Sequence, residues 1–106
     1  MKEYDISKYD GRKHKVLSGA TPGNEMRALC KIDELDKMEE QARFIVPEDV
    51  FSLNSSYFSG LFQKSLKTLG EIKFRERYHF QCSEIIRENI EDGILYILNT
   101  INLLGD

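Results

Sequence analysis

The sequence predicts one α/β domain in which a mixed sheet of four or five strands packs against helices. Strand-like runs alternate with helix-like runs along the chain, which is typical of that class. Isoleucines recur every three or four residues near the C-terminal end, as on the buried face of a helix. The 106 residues are 41% hydrophobic and 31% charged, the composition of a globular protein large enough to form its own core. We therefore treat residues 1–106 as a single domain.

The first part of the chain is predicted to contain two short strands followed by helix. Aromatic and aliphatic residues alternate with polar ones in residues 1–10, and residues 15–17 form a second β-like run. Thr21 and Pro22 favour a helix start, with Thr as N-cap and Pro at the first helical position. The charge-rich segment after it predicts a helix that breaks near Asp33.

The middle of the chain is predicted to be strand, helix and strand. Arg43 to Val46 is predicted to be a strand buried on both faces, because Phe44 to Val46 is apolar without alternation, and Phe51 to Leu53 alternates. Apolar residues at helical spacing then predict a helix from Ser55 to Leu69, and Gly70 is suited to end it. Tyr78 to Gln81 is predicted to return to the sheet.

The last element is predicted to be a long helix capped by Ser83. Its apolar face is formed by residues spaced three or four apart: Ile86, Ile90, Ile94, Ile97, Ile101 and Leu104. Gly93 within it costs about 1 kcal/mol relative to alanine, so it indicates close packing against a neighbour. We expect Gly105 to end this helix, and Leu61 and Ile94 to be core residues.

Asn54, Ser55 and Ser56 form the candidate functional site, because they lie where a predicted strand passes into a helix. Backbone N–H groups are unpaired there and the helix dipole favours negative charge. One interpretation is structural, with Ser55 as the N-cap and Ser56 as a residue of the first turn. The other is a binding surface formed by these three residues with Tyr57 and Ser59, in which Ser56 or Ser55 is phosphorylated.

No pattern in the chain predicts catalysis, a cofactor or a metal. The serines are not in a GxSxG elbow, and residues 19–23 lack the GxxxxGK[ST] pattern of a phosphate loop. Cys30 and Cys82 lack the spacing of a zinc site. The carboxylates of residues 33–40 are expected to be a solvated helix face. We therefore expect a protein that is not an enzyme.

A nucleic-acid-associated accessory function is the alternative prediction. In residues 73–79 the cations Lys73, Arg75 and Arg77 alternate with aromatic residues, which can contact phosphates and stack on bases. The net charge of −3 and the absence of a known motif disfavour it.

The chain is expected to be cytoplasmic and to have no contact with a membrane. Its first five residues are polar, unlike a signal peptide, and no apolar run approaches the ~18 residues that span a bilayer. Cys30 and Cys82 are then expected to be free thiols in a reducing compartment.

The segment from Val46 to Phe62 resembles the STAS-like domain family of unknown function, small bacterial and phage-associated proteins related to anti-sigma-factor antagonists. The helix start at Gly23 to Arg27 and the stretch from Phe74 to Phe80, followed by a helix, are also similar. The resemblance covers roughly residues 15–100 and depends mainly on the apolar pattern. It implies an α/β sandwich of STAS-like type and a protein-binding surface.

In antagonists of this kind a strand leads into an Asp-Ser-Ser-Gly turn, and the second serine is phosphorylated by a partner kinase of the histidine-kinase ATPase fold. By position, Asn54 corresponds to the aspartate, Ser55 to the first serine and Ser56 to the phosphoacceptor. Asn54 lacks the carboxylate, and Tyr57 stands where those proteins have glycine. The resemblance thus implies a bacterial regulatory module with a protein partner, in which phosphorylation controls binding.

Overall fold

A computed structural model describes residues 1–6 and 16–103 of the chain. The strands are β1 (Lys2–Asp5), β2 (Val16–Leu17), β3 (Ala42–Ile45), β4 (Ser52–Leu53) and β5 (Tyr78–Gln81). The helices are α1 (Ala20–Leu29), α2 (Ile32–Lys37), α3 (Ser55–Arg77) and α4 (Glu84–Leu103). The predicted α/β class is confirmed. The first predicted strand, over residues 1–10, lies only partly within the described residues, and Leu104 and Gly105 lie outside them.

The described strands form two separate parallel sheets, so the prediction of a single central sheet is wrong. The larger sheet has the order β1-β3-β5, and the smaller pairs β2 with β4. Helical segments separate each strand from its partner along the chain, so the connections are crossovers, which produce parallel pairing. The strands β2 and β4 have two residues each, and they pair with each other at the start of two helices.

One face of the larger sheet packs on α3. Tyr4, Phe44 and Phe80 lie side by side across the three strands, and their rings stack with centroids 5.5 and 5.8 Å apart. Phe62 of α3 packs edge-on against Phe44 at 5.1 Å. Right-handed crossovers between successive parallel strands place their helices on the same face, which gives a two-layer domain.

The helices begin and end close to the predicted positions. Lys31, at φ 54°, separates α1 from α2 two residues before the predicted break. Gly70, at φ 80°, interrupts α3, and a helical segment that we did not predict follows it up to Arg77. The hydroxyl of Ser83 accepts a hydrogen bond from the backbone of Ile86 at 3.3 Å, as the predicted cap should.

The predicted core residues are confirmed. Leu61 and Ile94 are buried, as are Ile86, Ile90 and Ile97 on the same face of α4. A Cβ on Gly93 would lie 2.6 Å from the ring of Phe58, which explains the glycine. None of the helices in the described residues combines the length and apolar character of a membrane span.

Candidate functional site

The small sheet brings the starts of α1 and α3 together. Leu17 and Leu53 are paired at the ends of β2 and β4, and the backbone N–H of Asn54 donates to the carbonyl of Leu17 at 3.0 Å. Each strand passes directly into a helix. Two helix N-termini, at Ala20 and Ser55, therefore lie beside each other at one end of the domain.

Asn54 is the N-cap of α3 and holds this junction together. Its Oδ1 accepts from the backbone N–H of Tyr57 at 3.0 Å and from the hydroxyl of Ser56 at 2.8 Å. Its Nδ2 donates to the hydroxyl of Ser18 at 2.7 Å, on the loop before α1. The hypothesis that Ser55 is the cap is therefore wrong, because the side chain one residue earlier occupies that position.

The hydroxyl of Ser56 is exposed and lies between the two helix starts. Its Oγ also accepts from the backbone N–H of Gly19 at 3.3 Å. Gly19 has φ 94°, a left-handed value that favours glycine, and this conformation leaves its N–H directed at Asn54 and Ser56. The predicted phosphoacceptor is thus solvent-accessible and next to backbone donors from both helices.

The other predicted site residues are not equally accessible. Ser55 and Ser59 are half-buried, and the Ser59 hydroxyl donates to Oε1 of Gln63 at 2.6 Å. Tyr57 is only 2% exposed. Its side chain lies in the hydrophobic core, and its role as a partner contact stays a prediction.

Helices α1 and α3 run side by side from this junction with unusually close backbones. Gly23 of α1 faces Gly60 of α3, and a Cβ on Gly60 would lie 2.9 Å from the amide nitrogen of Asn24 and 3.0 Å from the Cα of Gly23. One turn further on, the guanidinium of Arg27 donates to the carbonyl of Leu61 at 2.7 Å. The position of Ser56 relative to Gly19 is thus fixed by backbone packing.

A buried polar cluster at the far end of this helix pair was missed by sequence reasoning. Arg27, which is 5% exposed, forms an ion pair of 2.7 Å with buried Asp36. The hydroxyls of Ser65 and Tyr78 donate to the same carboxylate at 2.8 and 2.5 Å. Burial, followed by the hydrogen bond to Asp36, raises the pKa of Tyr78. The signal available in the sequence was Arg27 itself, a charged residue on the otherwise apolar buried face of α1.

The cations of the nucleic-acid alternative do not form one basic surface. Arg75 is bound to Glu91 through both terminal nitrogens, at 2.8 and 2.9 Å, and its Nε donates to Glu71. Arg77 donates to the carbonyl of Met38 at 2.8 Å. Lys73 is exposed, so only one of the three predicted cations is directed to solvent without an intramolecular hydrogen bond in the described residues.

The two cysteines are free thiols, as expected.

Comparisons with protein-family models, with curated proteins and with solved structures gave no match to this chain. The resemblance to STAS-like proteins stays a prediction.

Proposed function

We propose that this chain is a non-catalytic protein-interaction module of bacterial regulation, of the STAS-like type, whose partner binding is switched by phosphorylation of Ser56. The observation that carries the proposal is the exposed Ser56 hydroxyl between two adjacent helix N-termini. Its sequence context, a strand, the Asn54–Ser56 turn and a helix, matches the order found in anti-sigma-factor antagonists.

The local electrostatics favour a phosphate at this position. A phosphoserine carries about −1.5 to −2 charges at pH 7. Each nearby helix N-terminus has the equivalent of about half a positive charge, which stabilises an anion within its first turn. The Gly19 N–H, already 3.3 Å from the Ser56 oxygen, is a ready donor to a phosphate oxygen. The phosphorylated form is therefore compatible with the same fold.

The same charge would disrupt a protein interface centred on this turn. Asn54, Ser55, Ser56 and Ser59 form the proposed surface, with Tyr57 supporting it from the core. An unphosphorylated surface presents neutral hydroxyl and amide groups, whereas a phosphate must be desolvated or paired by the partner. We propose that the partner is an ATPase of the histidine-kinase fold, which both binds the turn and phosphorylates it.

The first test is peptide mass spectrometry of the protein recovered from its native host. Trypsin should release residues 44–64 as one peptide, within which fragmentation distinguishes Ser55, Ser56 and Ser59. We expect phosphate on Ser56 in the wild type, none in Ser56→Ala, and unchanged occupancy in the control Ser59→Ala. An unmodified peptide across growth conditions, or phosphate confined to Ser55, would contradict the proposed switch.

A photocrosslinking amino acid at position 56 tests partner binding separately. We expect it to link the kinase-fold ATPase, while the same probe at exposed position 73 should not. Unlabelled wild-type protein should compete for this crosslink, whereas unlabelled Ser56→Glu should compete less well. Equal crosslinking from both positions would show that this turn is not the interface.

A further inference from the structure

A positively charged groove lies between α2 and α3, away from the Ser56 turn. It has a volume of about 370 Å³. Its walls include Lys37 at the end of α2 and Lys64 and Lys67 on α3, with Arg27 at its base. The three lysines are exposed, whereas Arg27 is almost completely buried.

The base of the groove is rigid because every part of the Arg27 guanidinium is bound. Its Nη1 donates to the carbonyl of Leu61 and to the hydroxyl of Ser65, and its Nη2 is paired with Asp36. The remaining contact is to Asp33, at 2.9 Å from Nε and 2.7 Å from Nη2. A fixed fork of this kind is well suited to bind a carboxylate.

Asp33 shows that the groove accommodates a carboxylate. Its side chain is 69% exposed, yet its oxygen is within ion-pair distance of a buried guanidinium. The hydrogen bond and charge of Arg27 lower the pKa of Asp33, and the charges of Lys64 and Lys37 lower it further. The cations of the groove therefore converge on the place where that carboxylate lies.

The groove has more positive than negative charge. Arg27, Lys37 and Lys64 face two carboxylates, those of Asp33 and Asp36, and both carboxylates are paired with the same arginine. Lys37 and Lys64 form no ion pair with any residue that the structure describes. In a chain whose net charge is −3, this is a local concentration of opposite sign.

The groove and the Ser56 turn are separate but lie along the same helix, α3. Ser56, Gln63 and Lys67 are spaced by seven and four residues, which places them on one face of α3. Lys67 lies eleven residues from Ser56, or about 16 Å along the helix at 1.5 Å per residue. An extended peptide segment of a few residues can span that distance.

We propose that this groove binds an acidic segment of the partner protein, with the partner's carboxylates against Lys37 and Lys64 in competition with Asp33. The inference rests on the proposed function in taking the ligand to be a protein. A carboxylate-rich segment is favoured over nucleic acid because the groove already holds a carboxylate, that of Asp33, against the guanidinium at its base.

The proposal also explains how a phosphate on Ser56 would act beyond its own contacts. A segment that is acidic where it meets the lysines brings negative charge along the face of α3. A phosphate on Ser56 repels the part of that segment that passes within about 8 Å of it, the screening length at physiological ionic strength. The positive charge of the groove thus strengthens binding of the partner, whereas a negative charge on Ser56 weakens binding of the same partner.

The test uses a fluorescein-labelled, glutamate-rich peptide as probe, with binding measured by fluorescence anisotropy at low salt. The groove variant is Lys37→Glu/Lys64→Glu, and the matched control is Lys2→Glu/Lys73→Glu, two exposed lysines outside the groove. Each pair changes the net charge from −3 to −7, because each substitution removes two units. Urea melts check that both variants are folded.

We expect saturable binding by the wild type, weakened about tenfold in the groove variant and less than about twofold in the control. Asp33→Asn should bind more tightly than the wild type, because the competing carboxylate is gone. Absence of saturable binding, equal losses in both lysine variants, or unimproved binding by Asp33→Asn would overturn the proposal. So would tighter, groove-dependent binding of a labelled oligothymidylate. Because Ser56 is not part of this assay, its result and that of the phosphorylation test are independent.

Discussion

The two carboxylates bound to Arg27 should differ greatly in their contribution to stability. Asp36 has a side chain 6% exposed, whereas that of Asp33 is 69% exposed, although both lie 2.7 Å from the same nitrogen. Replacing Asp36 with Asn leaves a buried guanidinium without its buried counter-charge and turns an amide toward the donors of Ser65 and Tyr78. Loss of one partner of a buried pair costs about 3–5 kcal/mol. The exposed pair is worth about 0.2–1 kcal/mol.

Urea unfolding followed by circular dichroism measures this difference. With a denaturant slope of about 1.5 kcal/mol/M, Asp36→Asn should lower the midpoint by about 2–3 M. Asp33→Asn, the matched control on the same arginine, should lower it by less than about 0.7 M. Equal shifts for the two variants, or a loss below about 1 kcal/mol for Asp36→Asn, would refute the reasoning that burial decides the value of each ion pair.

Three further predictions follow from packing, burial and charge. Gly60→Ala should destabilise by about 1–3 kcal/mol despite better helix propensity, since its Cβ meets the backbone of α1; an unchanged urea midpoint would contradict this. Burial raises the pKa of Cys30 to about 11 and also raises that of Cys82, so both thiols should react slowly with a disulfide reagent at about pH 8. Half-buried Cys82 should react before Cys30, and reaction of either cysteine as fast as an unhindered thiol would contradict the prediction. The hydrogen bond from Arg75 lowers the pKa of Glu91 from 4.5, so Glu91→Gln should lose about 1 kcal/mol of stability or less. This loss should be present above pH 4.5 and disappear as the pH falls through the lowered pKa. A difference in stability that does not depend on pH would exclude the ion pair as its source.

Periodicity and capping residues predicted most of the elements. The strand Tyr78–Gln81 and the helix capped by Ser83 are where the pattern places them, because those signals are local. The segment after Gly70 was missed: its charged residues obscure a short helix held by Arg75 bound to Glu91 and by buried Phe74. Strand pairing was predicted less well, since register depends on contacts between residues far apart in sequence.

The candidate site was predicted in position but not in its details. Asn54, Ser55 and Ser56 lie at a helix start, as the sequence indicates. The contribution of Ser18 and Gly19 depends on how β2 pairs with β4, which no local pattern reveals. Tyr57 was assigned to the surface because it lies beside Asn54, Ser55 and Ser56 in the sequence, whereas in the structure it is buried in the core. The partners of Arg27 come from α2, α3 and β5, so only the folded chain brings them together.

The parallel pairing of the strands determines how the chain can fold. Lys2 pairs with Ala42, Val16 with Ser52, and Ala42 with Tyr78, so each described strand pair joins positions 36 or 40 residues apart. No described strand pair can form as a local hairpin, and loop closure must precede every ladder. The small sheet pairs the strands that precede α1 and α3, so it forms together with the contact between these two helices. We therefore expect folding to be slower than in a helical bundle of this size.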